Sequence, residues 1–139
     1  MATPFAAHGE FKAHVEGRII VSEVVGPWNK ELVDKWSRVM YGYAKQLSAS
    51  GPHVGIARIH TSMMCPPDAL QAMRQAVLFG NERLGSIGNA LVADPGVEGR
   101  ALMLPMYEQL YLGGNPYAFF HDLDSATAWA LALLAAKGF

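Results

Sequence analysis

Two histidines and an aspartate follow predicted strands and could together bind a metal ion. His60, Asp94 and His121 each stand where a predicted strand ends. The carboxyl ends of parallel strands meet at one edge of a sheet, and imidazole and carboxylate groups are usual zinc ligands. However, no HxxxH or HExxH spacing places two histidines on one helix. A small metal-dependent or hydrolytic enzyme is therefore only our third hypothesis for the function. We predict no metal-binding residue.

Cys65 is the single cysteine and the other candidate for chemistry. With His60 shortly before it, the thiol could be a nucleophile beside a base. No third residue that would orient the base is identified, and a lone cysteine is more typical of a small buried hydrophobic side chain. We therefore expect no catalytic residue and no enzyme activity. A chain that cannot form an internal disulfide also fits a reducing compartment, so we expect a cytoplasmic protein.

Composition and glycine spacing argue against several classes of ligand. Eleven Lys and Arg residues accompany twelve Asp and Glu residues, and these charges form no basic stripe that would bind nucleic acid. The glycines within residues 85–88 and 113–116 lack the spacing of a phosphate-binding loop. We therefore expect neither nucleic acid nor a cofactor. The longest apolar stretch, residues 126–136, is too short to span a bilayer, and we expect no signal peptide.

Several methionines favour an apolar pocket near the carboxyl ends of the strands, because thioether side chains adapt to ligands of different shape. Open α/β sheets bind ligands at those ends. The same ends also carry polar and aromatic side chains that could contact a ligand. The predicted ligand-binding residues, in chain order, are Trp28, Asn29, His60, Ser62, Met63, Met64, Met103, Met106 and His121.

The spacing of apolar residues predicts the elements that must position these side chains. Residues 11–14 and 18–25 flank Glu16-Gly17 and predict a β-hairpin. Apolar residues at three- and four-residue intervals predict a helix over residues 30–48, with Asn29 as its N-cap. Further strands are predicted over residues 53–60, 89–93 and 117–120, and further helices from Pro66, over residues 97–112 and after the N-cap Asp122.

A hairpin followed by three helix-then-strand units and a terminal helix requires a mostly parallel sheet covered by helices. The predicted fold is a single α/β domain, in which a mixed, mostly parallel sheet has a leading β-hairpin and about four covering helices. Residues 1–10 are predicted to form a tail and residues 11–139 the domain. The helix over residues 97–112 is predicted to bury Leu102, Met106 and Leu110 and to kink or split at Pro105.

Three segments together resemble a known family. They are the Gly26-Pro27-Trp28-Asn29 junction after the hairpin, the first helix with Trp36, and residues 119–129 with the sequence FFHDLDSATAW. These segments are similar to the SpoIIAA-like group of STAS-type domains, named for an anti-sigma-factor antagonist and related in shape to Sec14-like lipid-binding domains. The resemblance covers residues 11–134. It implies a non-catalytic domain that binds a protein partner or an apolar small molecule.

The phosphorylation switch of the family's regulatory members is matched only in part. Their phosphorylated serine lies in an Asp-Ser-Ser-Gly segment, whereas this chain has Thr61-Ser62-Met63 at that junction. Only Ser62 falls at a corresponding position, since the acid and the glycine are missing. Our leading hypothesis is a module that binds an apolar or lipid-like small molecule near the strand ends. The second is a regulatory module that binds a protein through Thr61 and Ser62, alone or as a homodimer.

Overall fold

The computed structural model describes residues 6–139, and the elements named here lie within them. The strands are β1 (Glu10–Glu16), β2 (Ile19–Val25), β3 (His53–His60), β4 (Ser86–Val92) and β5 (Tyr117–Phe120). The helices are α1 (Lys30–Ser48), α2 (Pro67–Arg83), α3 (Arg100–Leu110) and α4 (Leu123–Ala136). Their order confirms the predicted hairpin, three helix-then-strand units and terminal helix.

The strands form one mixed sheet in the order β1-β2-β3-β4-β5. β1 is antiparallel to β2, and each later neighbouring pair is parallel. Each parallel connection passes through a helix. Strands that are neighbours in the sheet are also consecutive in the chain. This architecture confirms the predicted α/β class and the mostly parallel sheet. No helix within residues 6–139 is long and apolar enough to cross a membrane.

Hydrogen bonds connect the turn between β1 and β2 to the C-terminal end of α1. Gly17 has a φ of +59°, which a glycine adopts in a two-residue turn without the steric cost of a side chain. Arg18 beside it donates hydrogen bonds to Leu47 O, Ser50 Oγ and Pro52 O. Leu47 O also accepts from the backbone N–H groups of Ser50 and Gly51, so Arg18 adds a further donor at the end of α1. The turn therefore fixes where α1 ends above the sheet.

Helices cover the sheet on both faces. On one face, side chains of α1, α2 and α3 pack against the strands. The buried residues of this core are Trp28, Leu32, Val33, Ile59, Met63, Ala69, Met73, Val77, Leu91, Ala93, Val97, Met103, Tyr107, Leu110 and Tyr111. On the other face, α4 packs in a second core made of Ile19, Val21, Val54, Ile56, Ala90, Val92, Ala126, Ala130 and Leu134.

α4 lies close to the sheet because its inner side chains are small. Ala126 and Ala130 have no exposed surface, and Leu134 is almost as buried. A Cβ added to Gly88 on the sheet would lie 2.5 Å from the side chain of Leu133. A glycine is therefore needed where α4 crosses β4, and its role there is to make room.

Both predicted N-caps are confirmed. The side chain of Asn29 accepts a hydrogen bond from the backbone N–H of Leu32 at 3.1 Å. The side chain of Asp122 accepts one from the backbone N–H of Ser125 at 2.8 Å. Each bond satisfies one of the N–H groups that the first helical turn leaves without a partner.

The predicted N-terminal tail of residues 1–10 is in part tied to the domain. Residues 1–5 lie outside the described residues. Glu10 already belongs to β1, one residue before the predicted start of the domain. The backbone N–H of His8 donates to Asn29 Oδ1, and Asn29 Nδ2 donates to Ala6 O, both at 2.9 Å. The N-cap of α1 therefore also holds the segment that precedes β1.

The predicted starts of α3 and β4 are wrong by three residues each, and the predicted ends by two residues and one residue. α3 begins at Arg100 rather than at residue 97, because Gly99 has a left-handed φ of +74° that a right-handed helix cannot contain. Pro105 lies inside α3, which continues to Leu110 as one helix instead of splitting. Since proline has no N–H, the helix gives up one hydrogen bond there. β4 begins at Ser86, ahead of the predicted start at residue 89.

The predicted buried face of α3 is wrong at two of its three positions, while Leu110 is buried as predicted. Leu102 is 63% exposed and Met106 46% exposed, while Met103 and Tyr107 are buried instead. The hydroxyl of Tyr107 donates to Met63 O at 2.9 Å, and the tyrosine ring has no exposed surface. Counting apolar spacings does not distinguish the two faces, because Met103, Tyr107 and Leu110 also recur at helical intervals.

We expect Tyr107→Phe to lower the free energy of unfolding by about 1 to 3 kcal/mol, because it removes a donor from the buried carbonyl of Met63. Urea denaturation at pH 7 measures the change. Tyr43→Phe is the control, since its hydroxyl makes only a long, 3.4 Å bond to Ala13 O, and we expect it to cost less than about 0.5 kcal/mol. Equal losses in the two variants would contradict the importance of the Tyr107 bond.

Candidate functional site

At the carboxyl ends of the strands, where the sequence predicts the ligand, core side chains fill the layer between the sheet and its helices. Beside them a wide-open surface depression of about 540 Å³ follows β2, and its lining includes Val25, Trp28 and Asn29. Trp28 is 4% exposed and meets Tyr107 edge to face, with ring centroids 6.1 Å apart. Met63 has no exposed surface and Met103 is nearly as buried. These three predicted site residues therefore pack as part of the core above the sheet.

The other two predicted methionines have different surroundings. Met64 is partly buried against the same core, and its Sδ would lie 2.6 Å from a Cβ added to Gly99. Met106 lies one turn after Met103 on α3, at the edge of the buried face, and is 46% exposed. The structure thus brings Met63, Met64 and Met103 together and leaves Met106 outside their cluster.

Ser62 is a buried link between two loops. Its hydroxyl donates to Glu98 Oε1 at 2.8 Å and accepts from the backbone N–H of Met64 at 3.1 Å. Ser62 and Glu98 also form a parallel β-bridge, and Ser62 is 1% exposed. Thr61 before it has a φ of 71°, which is uncommon for a residue other than glycine. In this conformation the Ser62 hydroxyl is not accessible to a kinase or to a partner.

His60 belongs to a row of charged side chains on the α4 side of the sheet. Lys12, Glu23 and Arg58 lie directly opposite one another on β1, β2 and β3. Glu23 accepts hydrogen bonds from Arg58 at 3.3 Å and contacts His60 Nε2 at 3.2 Å, while Lys12 lies 3.7 Å away. Sequence analysis missed Glu23, although Arg58 within an apolar strand was a signal that a partner stands beside it.

Electrostatics keep the Glu23 carboxylate charged. Burial alone would raise its pKa, but the hydrogen bond from His60 and the charges of His60, Lys12 and Arg58 outweigh burial and lower the pKa below its usual value of 4.5. Cross-strand ion pairs of this kind are partly exposed and contribute little to stability. The row therefore fixes side-chain positions at the sheet surface more than it stabilises the fold.

The remaining predicted polar residues have local structural roles. His121 Nδ1 is hydrogen-bonded to the guanidinium of Arg100, and Asp94 Oδ1 accepts from the backbone N–H of Gly96. Asn29 caps α1. Within residues 6–139, no three His, Cys, Asp or Glu side chains are grouped closely enough to hold a metal ion. The structure therefore does not assemble His60, Asp94 and His121 into a metal centre.

A cavity of about 500 Å³ lies between α1 and α2 above the sheet, and we call it the α1–α2 cavity. Its apolar lining consists of Ile20, Trp36, Met40, Tyr41, Ala44, Ala72, Ala76, Val77, Phe79 and Leu84. Its uncharged polar and glycine lining consists of Ser37, His53, Gly55, Gln75, Gly80, Ser86 and Asn89. The charged lining residues Lys30, Asp34 and Arg38 all belong to α1.

Missing side chains keep this cavity open. A Cβ on Gly80 of α2 would meet no atom within 4 Å, so this glycine borders empty space. On the sheet, Gly55 has only the Asn89 side chain near the position that a Cβ would take, at 3.3 Å. Neither glycine has a positive φ. Other residues could adopt the backbone conformations of these two glycines. Their effect is therefore to leave space in the cavity that a side chain would fill.

An aromatic pair spans the mouth of the cavity. Tyr41 on α1 and Phe79 on α2 lie with ring centroids 6.1 Å apart, and each is nearly half exposed. Lys45 stands over the Tyr41 ring at 5.8 Å. The two helices therefore touch through these rings above a space that their inner residues leave unfilled.

The sheet side of the cavity is polar but uncharged. His53 and Ser86 are paired on β3 and β4, and Asn89 follows on β4 next to Gly55. Within residues 6–139, Nδ1 of His53 has no hydrogen-bond partner, although His53 is only 4% exposed. Burial, and then the positive charge of Arg18, lowers the pKa of His53 to about 4. The imidazole is therefore neutral at pH 7.

Sequence analysis missed this cavity completely. Its small lining residues carry no chemistry, and His53 was assigned only to the start of a strand. The available signal was weak: Gly55 and Gly80 interrupt a strand and a helix, where glycine is unfavourable and can mark close approach or open space.

Comparison of the chain with protein-family models, curated proteins and solved structures gave no match. The resemblance to SpoIIAA-like domains therefore stays a prediction. The same holds for the expected protein partner and homodimer.

We expect the stability of the protein to fall as the pH is lowered from 6.5 towards 4. In that range the unfolded chain protonates His53, whereas the folded chain, with its lowered pKa, does not. From pH 7 to pH 5 the expected loss is about 2 kcal/mol. Urea denaturation across this range measures it. His53→Gln should remove most of the slope and His14→Gln, at an exposed histidine, should keep it; identical slopes would contradict the role of His53.

We expect Ser62→Asp to lower the free energy of unfolding by about 2 kcal/mol or more, because it places a carboxylate beside Glu98 at a buried position. Ser62→Ala should cost less, since it only removes hydrogen bonds. Thermal denaturation of both variants at pH 7 makes the comparison. An aspartate variant as stable as the alanine variant would show that the loop can open and present residue 62 to solvent.

Proposed function

We propose that this chain is a non-catalytic binding module whose ligand, an apolar small molecule, occupies the α1–α2 cavity. The observation that supports this most directly is the cavity itself, of about 500 Å³. Ligand sites range from about 300 to 1,000 Å³ and are lined mainly by apolar and aromatic side chains with a few polar groups. The lining between the two helices matches that description.

The lining residues that create the space do not favour the stability of the empty fold. Gly80, in the interior of α2, destabilises the helix by about 0.5 to 1 kcal/mol relative to alanine. Gly55 lies in a central strand, where glycine offers no side chain to pack. A cavity in a core also costs the dispersion contacts that its walls forgo. A bound apolar molecule would restore those contacts, and this gain offsets the cost of keeping the cavity in the fold.

Access to the cavity is provided by the Tyr41–Phe79 pair. Both rings are exposed enough to rotate away from each other without breaking a buried hydrogen bond. Their outer edges also form an apolar surface at the mouth, on which a ligand can first adsorb. This arrangement supports reversible binding of a small molecule from solution.

The absence of turnover is part of the same proposal. Burial raises the pKa of the Cys65 thiol, and its Sγ lies 3.5 Å from the buried hydroxyl of Tyr107. A neutral thiol is a poor nucleophile, and the nearby charge of Asp68 also raises the pKa of this thiol. A lone cysteine kept as a thiol also fits a cytoplasmic location.

We further propose that the chain is a SpoIIAA-like domain of the STAS type. The leading hairpin, the parallel strands that follow it and the terminal helix on the opposite face support this assignment. The proposed ligand class, an apolar or lipid-like small molecule, is the one that the resemblance implies, because Sec14-like domains of related shape bind lipids. The site that we propose, between α1 and α2, differs from the one that the sequence predicts at the carboxyl ends of the strands.

We expect the protein to bind the neutral fluorescent probe 1-aminoanthracene in a saturable, one-to-one manner, and Gly80→Leu to weaken that binding by about tenfold or more. The leucine side chain would occupy the space that Gly80 leaves, while its higher helix propensity favours α2. Fluorescence titration at pH 7 measures the dissociation constant.

Gly42→Leu is the matched control. Gly42 is also a helical glycine with no atom within 4 Å of an added Cβ, but it is exposed on α1 and does not line the cavity. It should keep the wild-type affinity. Equal affinities of the Gly80→Leu and Gly42→Leu variants would place the probe elsewhere, and a wild-type protein without saturable binding would overturn the proposed function.

A further inference from the structure

The floor of the α1–α2 cavity carries polar atoms that the fold itself leaves unused. Within residues 6–139, His53 Nδ1 has no partner, and the residue is more than nine-tenths buried. Asn89 Nδ2 donates to Asn81 Oδ1 at 3.1 Å, which leaves the Asn89 Oδ1 atom facing the missing side chain of Gly55. A buried polar atom without a partner is costly, so a ligand group that bonds to it would bind favourably.

Charge is confined to the rim of the cavity. Lys30 and Asp34 form an ion pair with each other at 2.9 Å, and both are nearly half exposed. Arg38 is exposed on the same helix. On the floor, a carboxylate or an ammonium group would lose its hydration without meeting an opposite charge among the lining residues. Arg18, whose charge acts on His53, does not line the cavity and donates to Leu47, Ser50 and Pro52, so it would attract a carboxylate only from a distance.

The shape of the cavity suits an extended chain. Its lining on α1 runs from Lys30 to Ala44, which corresponds to about 20 Å of helix. Between the polar floor and the rim the walls are aliphatic and aromatic. A molecule with one polar end and a long apolar chain can therefore satisfy both parts of the lining.

Resting on the proposed function, we infer that the ligand is an uncharged amphiphile whose hydroxyl-like end is hydrogen-bonded to His53 on the cavity floor. A neutral imidazole has one N–H donor and one bare nitrogen acceptor. A hydroxyl group can donate or accept, so it complements whichever nitrogen of His53 is free. An aliphatic alcohol is the simplest molecule of this class.

The test compares three probes of equal chain length: 1-octanol, octanoate and 1-bromooctane. Each is titrated against 1-aminoanthracene at pH 7, with the affinity of the fluorescent probe measured separately for each variant. We expect wild-type protein to bind 1-octanol about tenfold or more tightly than octanoate. His53→Leu should weaken 1-octanol by about tenfold and leave 1-bromooctane within about threefold, while His53→Gln, which keeps a donor and an acceptor, should retain 1-octanol.

The inference is overturned if octanoate binds as tightly as 1-octanol, if the octyl probes do not displace 1-aminoanthracene, or if His53→Leu weakens 1-octanol and 1-bromooctane equally. The first two comparisons use wild-type protein and so do not depend on the folding of a variant. Failure of the proposed function would look different, since 1-aminoanthracene itself would then not bind. Retained preference for 1-octanol in both His53 variants would assign recognition to another group and also overturn the inference.

Discussion

The architecture depends on how unevenly the layer between the sheet and its helices is filled. Near the carboxyl ends of the strands, Trp28 and Tyr107 meet edge to face and Met63 is wholly buried, so helices and strands are held apart by large side chains. Towards the other end the same layer offers Gly55 and Gly80. Because α1 and α2 are rigid and already spaced by the large residues, they cannot close over the small ones, and a cavity remains.

Trp36 marks the transition between these two regions. Its side chain lines the α1–α2 cavity and also a void of about 30 Å³ towards Trp28, so it forms the wall between them. The indole N–H donates to Ser22 Oγ at 3.0 Å, and Ser22 Oγ in turn lies 3.2 Å from Met40 Sδ. This bond holds a large ring in one place, and it thereby limits the cavity without filling it.

Local rules predicted the elements well, because the signals for helices and strands lie within a few residues. Asn29 and Asp122 predict the starts of α1 and α4, because each is an N-cap that is hydrogen-bonded to the first turn of its helix. On α3 the apolar spacing allows two faces, and the buried one is the face whose Tyr107 donates to Met63, far away in the sequence. The candidate site was missed for a related reason: a cavity is defined by side chains that are absent from several elements at once, and only the packing of those elements shows that Gly55 and Gly80 border the same space.

Two buried side-chain polar atoms lack hydrogen-bond partners within residues 6–139, and the comparison between them shows why only one indicates a ligand. The hydroxyl of Tyr117 is such an atom, but its ring stacks on Tyr111 at 4.4 Å, and burial raises its pKa to about 12. The packing of the ring offsets the cost of burying the Tyr117 hydroxyl, and Tyr117 does not line the α1–α2 cavity. His53 has no stacked ring to offset its burial, and it borders about 500 Å³ of space together with Asn89. Because His53 lines this space, a rotation of its ring would let a bound molecule satisfy the free nitrogen, whereas the Tyr117 hydroxyl has no such space beside it.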